Sequence, residues 1–74
     1  MFVKLEGKTV KGRNKLREAG SPNHWIVTDK RDYVSFSDRV GPWLLVRPDN
    51  NQSDKSRWVN MFDDWDFVVN ILNV

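Results

Sequence analysis

Gly41-Pro42-Trp43-Leu44-Leu45-Val46-Arg47-Pro48 decides the fold. Trp43 to Val46 is a short apolar run with a proline near each end. Proline donates no ladder hydrogen bond, so Pro42 and Pro48 act as stops. Four apolar residues are too few for a buried helix, and the flanking Gly and Pro favour a short central strand. The rest of the chain must pack against that strand.

Immediately upstream, Tyr33-Val34-Ser35-Phe36 alternates with period two and reads as a strand, separated from His24-Trp25-Ile26-Val27-Thr28 by the charged turn Asp29–Asp32. Gly20-Ser21-Pro22-Asn23 is a turn, each residue favouring one for its own reason. At the start, Phe2-Val3-Lys4-Leu5, a turn at Glu6-Gly7 and a return through Lys8-Thr9-Val10-Lys11 suggest a hairpin. Residues 12–20 admit two readings. One is a helical turn with Asn14 as N-cap and Gly20 as stop; the other, which we favour, is a strand with Lys11, Arg13, Lys15 and Arg17 along one face.

Downstream, Asp49 to Ser56 lacks any apolar side chain and reads as a mobile loop. Arg57-Trp58-Val59-Asn60-Met61-Phe62 resumes as a strand. Asp63-Asp64-Trp65-Asp66 is an acidic turn, and Phe67-Val68-Val69-Asn70-Ile71-Leu72 is a strongly β-branched last strand. The expected fold is all-β: one domain over residues 1–74, a small antiparallel barrel or roll of about six strands, SH3-like, with an oligonucleotide-binding type of barrel as second choice. Trp43, Trp58, Val27, Phe36, Leu45, Val69 and Ile71 are the expected core.

At 74 residues, with no cysteine and one histidine, the chain has neither disulfides nor a thiolate or His-based metal site to hold it together. Hydrophobic residues make up 39%, but nine aromatics, four of them Trp, supply large buried areas and argue against disorder. No apolar run approaches the ~20 residues of a membrane span, and the N-terminus is charged at once, so a cytoplasmic location without membrane attachment is expected. Residues 1–31 carry eight basic against three acidic residues, net +5; residues 32–74 carry four against seven, net −3. Such asymmetry hints at a charged partner.

Three site readings follow. Lys8, Lys11, Arg13, Lys15 and Arg17, with Trp25 and Tyr33 as stacking platforms, would suit a nucleic-acid strand, because cations repeating every second strand residue match the phosphate spacing. The bland counterpart is a solvated face guarding an edge strand. Trp65, with Asp63 and Asp64, marks a protein-interaction surface, an exposed tryptophan being either an interface anchor or a cap on the barrel end. The same aspartates lack the glycine and closing glutamate of a calcium loop and read as local turn bonding, so no metal and no cofactor are expected. Without a cysteine, a serine-nucleophile motif or a glycine-rich phosphate loop, an enzyme is not expected.

Lys11-Gly12-Arg13-Asn14-Lys15-Leu16-Arg17-Glu18, Gly41-Pro42-Trp43-Leu44-Leu45-Val46 and Ser56-Arg57-Trp58-Val59, in this order, resemble short uncharacterised proteins encoded by tailed bacteriophages. The resemblance implies action in the host cytoplasm as an accessory or host-interaction factor, and it carries no site residues. The expected function is a non-enzymatic binding module, for nucleic acid through the basic face or for a host or phage protein through the aromatic and acidic surface. Self-assembly into a homo-oligomer is a third option.

Overall fold

The computed structural model describes residues 1–50 and 55–72. Residues 51–54 of the polar loop lie outside the described residues. The chain runs β1 (Phe2–Gly7), α1 (Val10–Glu18), β2 (Trp25–Arg31), β3 (Ser35–Phe36), β4 (Arg39–Val40), β5 (Trp43–Pro48), β6 (Arg57–Asn60) and β7 (Phe67–Leu72). Five strands form one antiparallel sheet in the order β6-β5-β2-β1-β7, while β3 and β4 make a separate two-stranded ribbon. The sheet is curled into a half-barrel, the small antiparallel roll expected from the sequence. One side of it is a β2-β5-β6 meander, and on the other the last strand returns to lie beside the first.

The stretch 41–48 forms an interior strand, flanked by β2 and β6. It extends through Pro48, two residues beyond the expected stop, because register explains how a proline is tolerated there. Asp49 donates its N–H to the His24 carbonyl, so the adjacent Trp25–Pro48 pair is a non-hydrogen-bonded one. The missing N–H of Pro48 therefore faces away from β2, on the side where β6 has already ended. The Gly41–Pro42 peptide is cis.

The strand reading of residues 12–20 is overturned, and the hairpin at 2–11 with it. β1 runs straight through Glu6 and Gly7, paired on one side with β7 from Phe2–Leu72 to Gly7–Phe67. The chain then enters α1. Thr9 is the N-cap: its Oγ1 accepts the Gly12 N–H at 2.9 Å. At the other end Gly20 takes the left-handed φ of 86°, with Gly20 N–H bonded to Arg17 O and Ser21 N–H to Leu16 O, a Schellman closure. Lys15 and Arg17 in the last turn complement the helix dipole. Gly12 is buried against the Asp66 carbonyl, where a Cβ would collide. These local signals, together with Leu16 and Ala19 reaching the core, outweigh a polar sequence whose alternation suits a strand.

The core consists of Val3, Leu5, Ala19, Trp25, Leu44, Val46, Val59 and Phe67, with Leu16, Val27, Met61 and Val69 packed against it. Strand parity explains the membership. Val3 faces Trp25, Val27 faces Val46 and Leu44 faces Val59 across neighbouring strands, all on the concave side. Val27 and Val69 meet the expectation. Trp58, Phe36 and Ile71 do not, being 43%, 64% and 37% exposed. Leu45 is half-buried on the convex side opposite Trp58. Trp43 is buried as expected, but against the outer surface of the sheet.

Candidate functional site

The convex face of β5 and β6 carries Trp43, Leu45 and Arg47 on one strand and Trp58 and Asn60 on the other, because each shares parity with its cross-strand partner. Arg31 joins them through an irregularity in β2. Trp25 and Val27 point inward, but the register shifts between Val27 and Asp29, leaving Thr28 as an extra residue. From Asp29 onward the odd-numbered side chains therefore stand on the outer face, where Arg31 pairs with Trp43.

The β3–β4 ribbon folds over this surface. Ser37 and Asp38 have φ of 49° and 67°, both left-handed, as a two-residue turn that matches strand twist requires. The ribbon is fastened by the Trp43 indole, whose Nε1 donates to the Val34 carbonyl at 2.8 Å. Phe36 stands edge-on to Trp43 at 6.1 Å and to Trp65 at 6.2 Å, and the Trp43 and Trp65 rings lie 5.8 Å apart. Edge-to-face arrangements at these distances are favourable for aromatic rings.

Trp65 is held by the turn 60–67. Asp64 is buried, and its carboxylate accepts the backbone N–H groups of Asn60, Asp66 and Phe67. The Asn60 side chain accepts the N–H groups of Phe62 and Asp63 and donates to the Val40 carbonyl at 3.1 Å. Arg39 pairs with Asp63 at 2.7 Å, donates to the Asp63 carbonyl and lies over the Trp65 ring at 4.6 Å. The result is a cleft of about 420 Å³ lined by Arg31, Val34, Phe36, Trp43, Trp58 and Trp65. That volume falls within the usual range for ligand sites, roughly 300–1,000 Å³.

The basic set proposed from the sequence is not brought together. On a helix Lys11 and Lys15 share one side and Arg13 and Arg17 another, so the continuous cationic row is lost. Lys15 is engaged by Asp66 at 3.1 Å. Trp25 is only 1% exposed and cannot serve as a stacking platform; its Nε1 is buried with no hydrogen-bond partner among the described residues. Lys8 stays exposed on the β1–α1 link. Tyr33 is 89% exposed, at a φ of 58° unusual for a bulky residue.

The acidic set divides by role. Asp64 is a buried acceptor, which removes it as a contact residue; Asp63 braces Arg39 at the surface, and Trp65 lines the cleft. Asp66 lies under α1, bonded by Lys15 and by the Thr9 hydroxyl at 3.0 Å. Burial pushes its carboxyl up, but the bonds from Lys15 and Thr9 and the charges of Lys15 and Lys11 outweigh this and hold it below the usual carboxylate value.

Arg31, Val34, Phe36, Trp43 and Trp58 line the cleft without being marked as site residues by the sequence. A partial signal existed: Trp43 has the parity of the charged Arg47, and Trp58 the opposite parity to Val59. Compared with protein-family models, curated proteins and solved structures, the chain matches none.

Proposed function

We propose that this chain is a non-enzymatic protein-interaction module that takes a segment of its partner into the aromatic cleft. One observation carries the reading. Phe36, Trp58 and Trp65 are exposed beside the buried Trp43, on the side of the sheet away from the core. Large apolar rings gathered at a solvent-facing concavity are the composition of interface anchors. Under the phage resemblance, the partner is a host or phage protein.

Charge favours a protein over a nucleic acid. The cations around the cleft are interleaved with acids: Lys30 with Asp32 at 3.5 Å, Arg31 with Asp29 at 3.7 Å, and Arg39 with Asp63. A surface balanced in this way gives little of the counterion release that drives phosphate binding.

The test is selection of displayed random peptides on the intact protein, followed by counter-screening on Trp58→Ala. Trp58 is on the outer face, so its removal leaves the core residues in place. Enrichment of peptides that bind the native chain and lose at least tenfold in affinity on Trp58→Ala supports the proposal. A selection that enriches nothing sensitive to Trp58 overturns it.

A further inference from the structure

We infer that β7 is a self-association edge: two copies of this chain join antiparallel through residues 68–72, with a two-fold axis at Asn70. This goes beyond the cleft, since none of the residues that line it lies in β7.

β7 is an outer strand of the five-stranded sheet and is paired with β1 on one side alone. The Lys8 N–H donates to the Asp66 carbonyl, and in an antiparallel pair such bonded positions recur at every second residue. Val68, Asn70 and Leu72 therefore turn their N–H and C=O groups towards β1, while Val69 and Ile71 turn theirs outward. These outward groups take no bond from a turn or cap among the described residues. The start of the strand is different. There the Phe67 N–H donates to the Asp64 carboxylate, and Arg57 of β6 lies over the Phe67 ring at 4.9 Å. The open rim thus begins at Val69.

Outer strands are usually guarded by charge, proline, a bulge or shortness. β6, at the other side of the sheet, is four residues long and opens with Arg57. β7 runs Phe67-Val68-Val69-Asn70-Ile71-Leu72, with no charge, no proline and no shift in register. Val68 and Ile71 are 44% and 37% exposed.

The order of side chains selects a second copy as the occupant. About Asn70 the strand is complementary to itself: Val69 faces the partner's Ile71, Val68 faces the partner's Leu72, and Asn70 faces the partner's Asn70. Val69 and Ile71 then form the hydrogen-bonded pairs, which use every outward N–H and C=O of both. Apolar side chains meet apolar ones on each face, and the two asparagines form the close, non-hydrogen-bonded pair at the axis. A centre at Val69 would call on the Phe67 N–H, which Asp64 already holds. Because the same patch serves both copies, the contact closes at two chains. A strand pair of this length buries less than the roughly 1,200–2,000 Å² of stable interfaces, so association belongs to high protein concentration.

The experiment follows the mass of the full chain by sedimentation velocity from about 50 µM to about 1 mM, with amide exchange read at both ends of that range. The expected result is a mass that rises from one chain towards two. The Val69 and Ile71 amides should slow about fivefold at the upper concentration, and those of Val68 and Asn70, already bonded to β1, should change less. Asn70→Asp sets two carboxylates opposite each other at the axis, while within each chain it faces Lys4 of β1, a favourable cross-strand pair that keeps the fold. Asn70→Asp and Asn70→Lys should each dimerise about fivefold more weakly alone, and their equimolar mixture should regain native association. A chain that stays monomeric at about 1 mM overturns the inference. So does a dimer that neither substitution weakens, or that mixing the two variants fails to restore, because the contact then lies elsewhere. Rim amides of the native chain that exchange equally fast at both concentrations overturn it without recourse to any variant.

Discussion

Asp66 shows how much one side chain contributes when it joins elements far apart in sequence. Its carboxylate ties the end of the acidic turn to the N-cap hydroxyl of α1, Thr9, and to Lys15 further along the helix. Both partners are partly buried, so the pair is screened less than a surface ion pair, for which 0–1 kcal/mol is typical. The sign of the pH dependence follows from the direction of its shift. A carboxyl held below its unfolded value of about 3.9 adds stability that is fully present above that pH and is lost as pH falls through the folded value. Denaturant unfolding of Asp66→Asn should show a loss of about 1–2 kcal/mol at pH 7. The gap between the variant and the native chain should narrow below pH 4. A gap that stays constant to pH 2 would contradict the assignment. Little of this was legible beforehand: Asp63, Asp64 and Asp66 look alike in sequence, and only the fold gives one to Arg39, one to backbone amides and one to the helix.

At the scale of the element, α1 is the most instructive departure from expectation. Its period-two pattern of cations suggested a strand, yet a helix needs only Leu16 and Ala19 inside if both ends are well closed. Thr9 and Gly20 provide those closures. Thr9→Ala and Gly20→Ala should each cost about 1 kcal/mol in thermal or denaturant unfolding. Because the sites lie at opposite ends of α1, the double variant should lose close to the sum. Gly20 is a stop only in the helical alternative, whose N-cap was Asn14 and not Thr9; Thr9 lies inside the expected hairpin. Strands fared better where the apolar pattern was dense. β7 was legible to the residue, and β5 needed only the register argument that admits Pro48. The aromatic cleft was less legible, because the bulge at Thr28 reverses the facing of Arg31 and no composition rule marks a bulge.

For the whole molecule, the decisive fact is that the first strand lies between the second and the last. The Lys8 N–H bonds the Asp66 carbonyl, which sets Glu6–Val68, Lys4–Asn70 and Phe2–Leu72 as the hydrogen-bonded pairs. The N–H groups of Val69 and Ile71 then point away from β1, at the rim of the sheet. Amide exchange should accordingly alternate along β7, with Val68 and Asn70 protected and Val69 and Ile71 exchanging at least tenfold faster. Uniform protection would mean that this rim is covered. The same ordering has a consequence for how the protein is made. During synthesis β1 emerges first, yet one of its two neighbours is supplied only when residue 72 has left the ribosome. Until then β2, β5 and β6 can assemble as a meander, while Val3 lacks one of its two strand partners and Leu5 its partner Val69. Completion of the sheet therefore waits for residues 67–72, and until they arrive one side of the founding strand stays open to whatever meets it first.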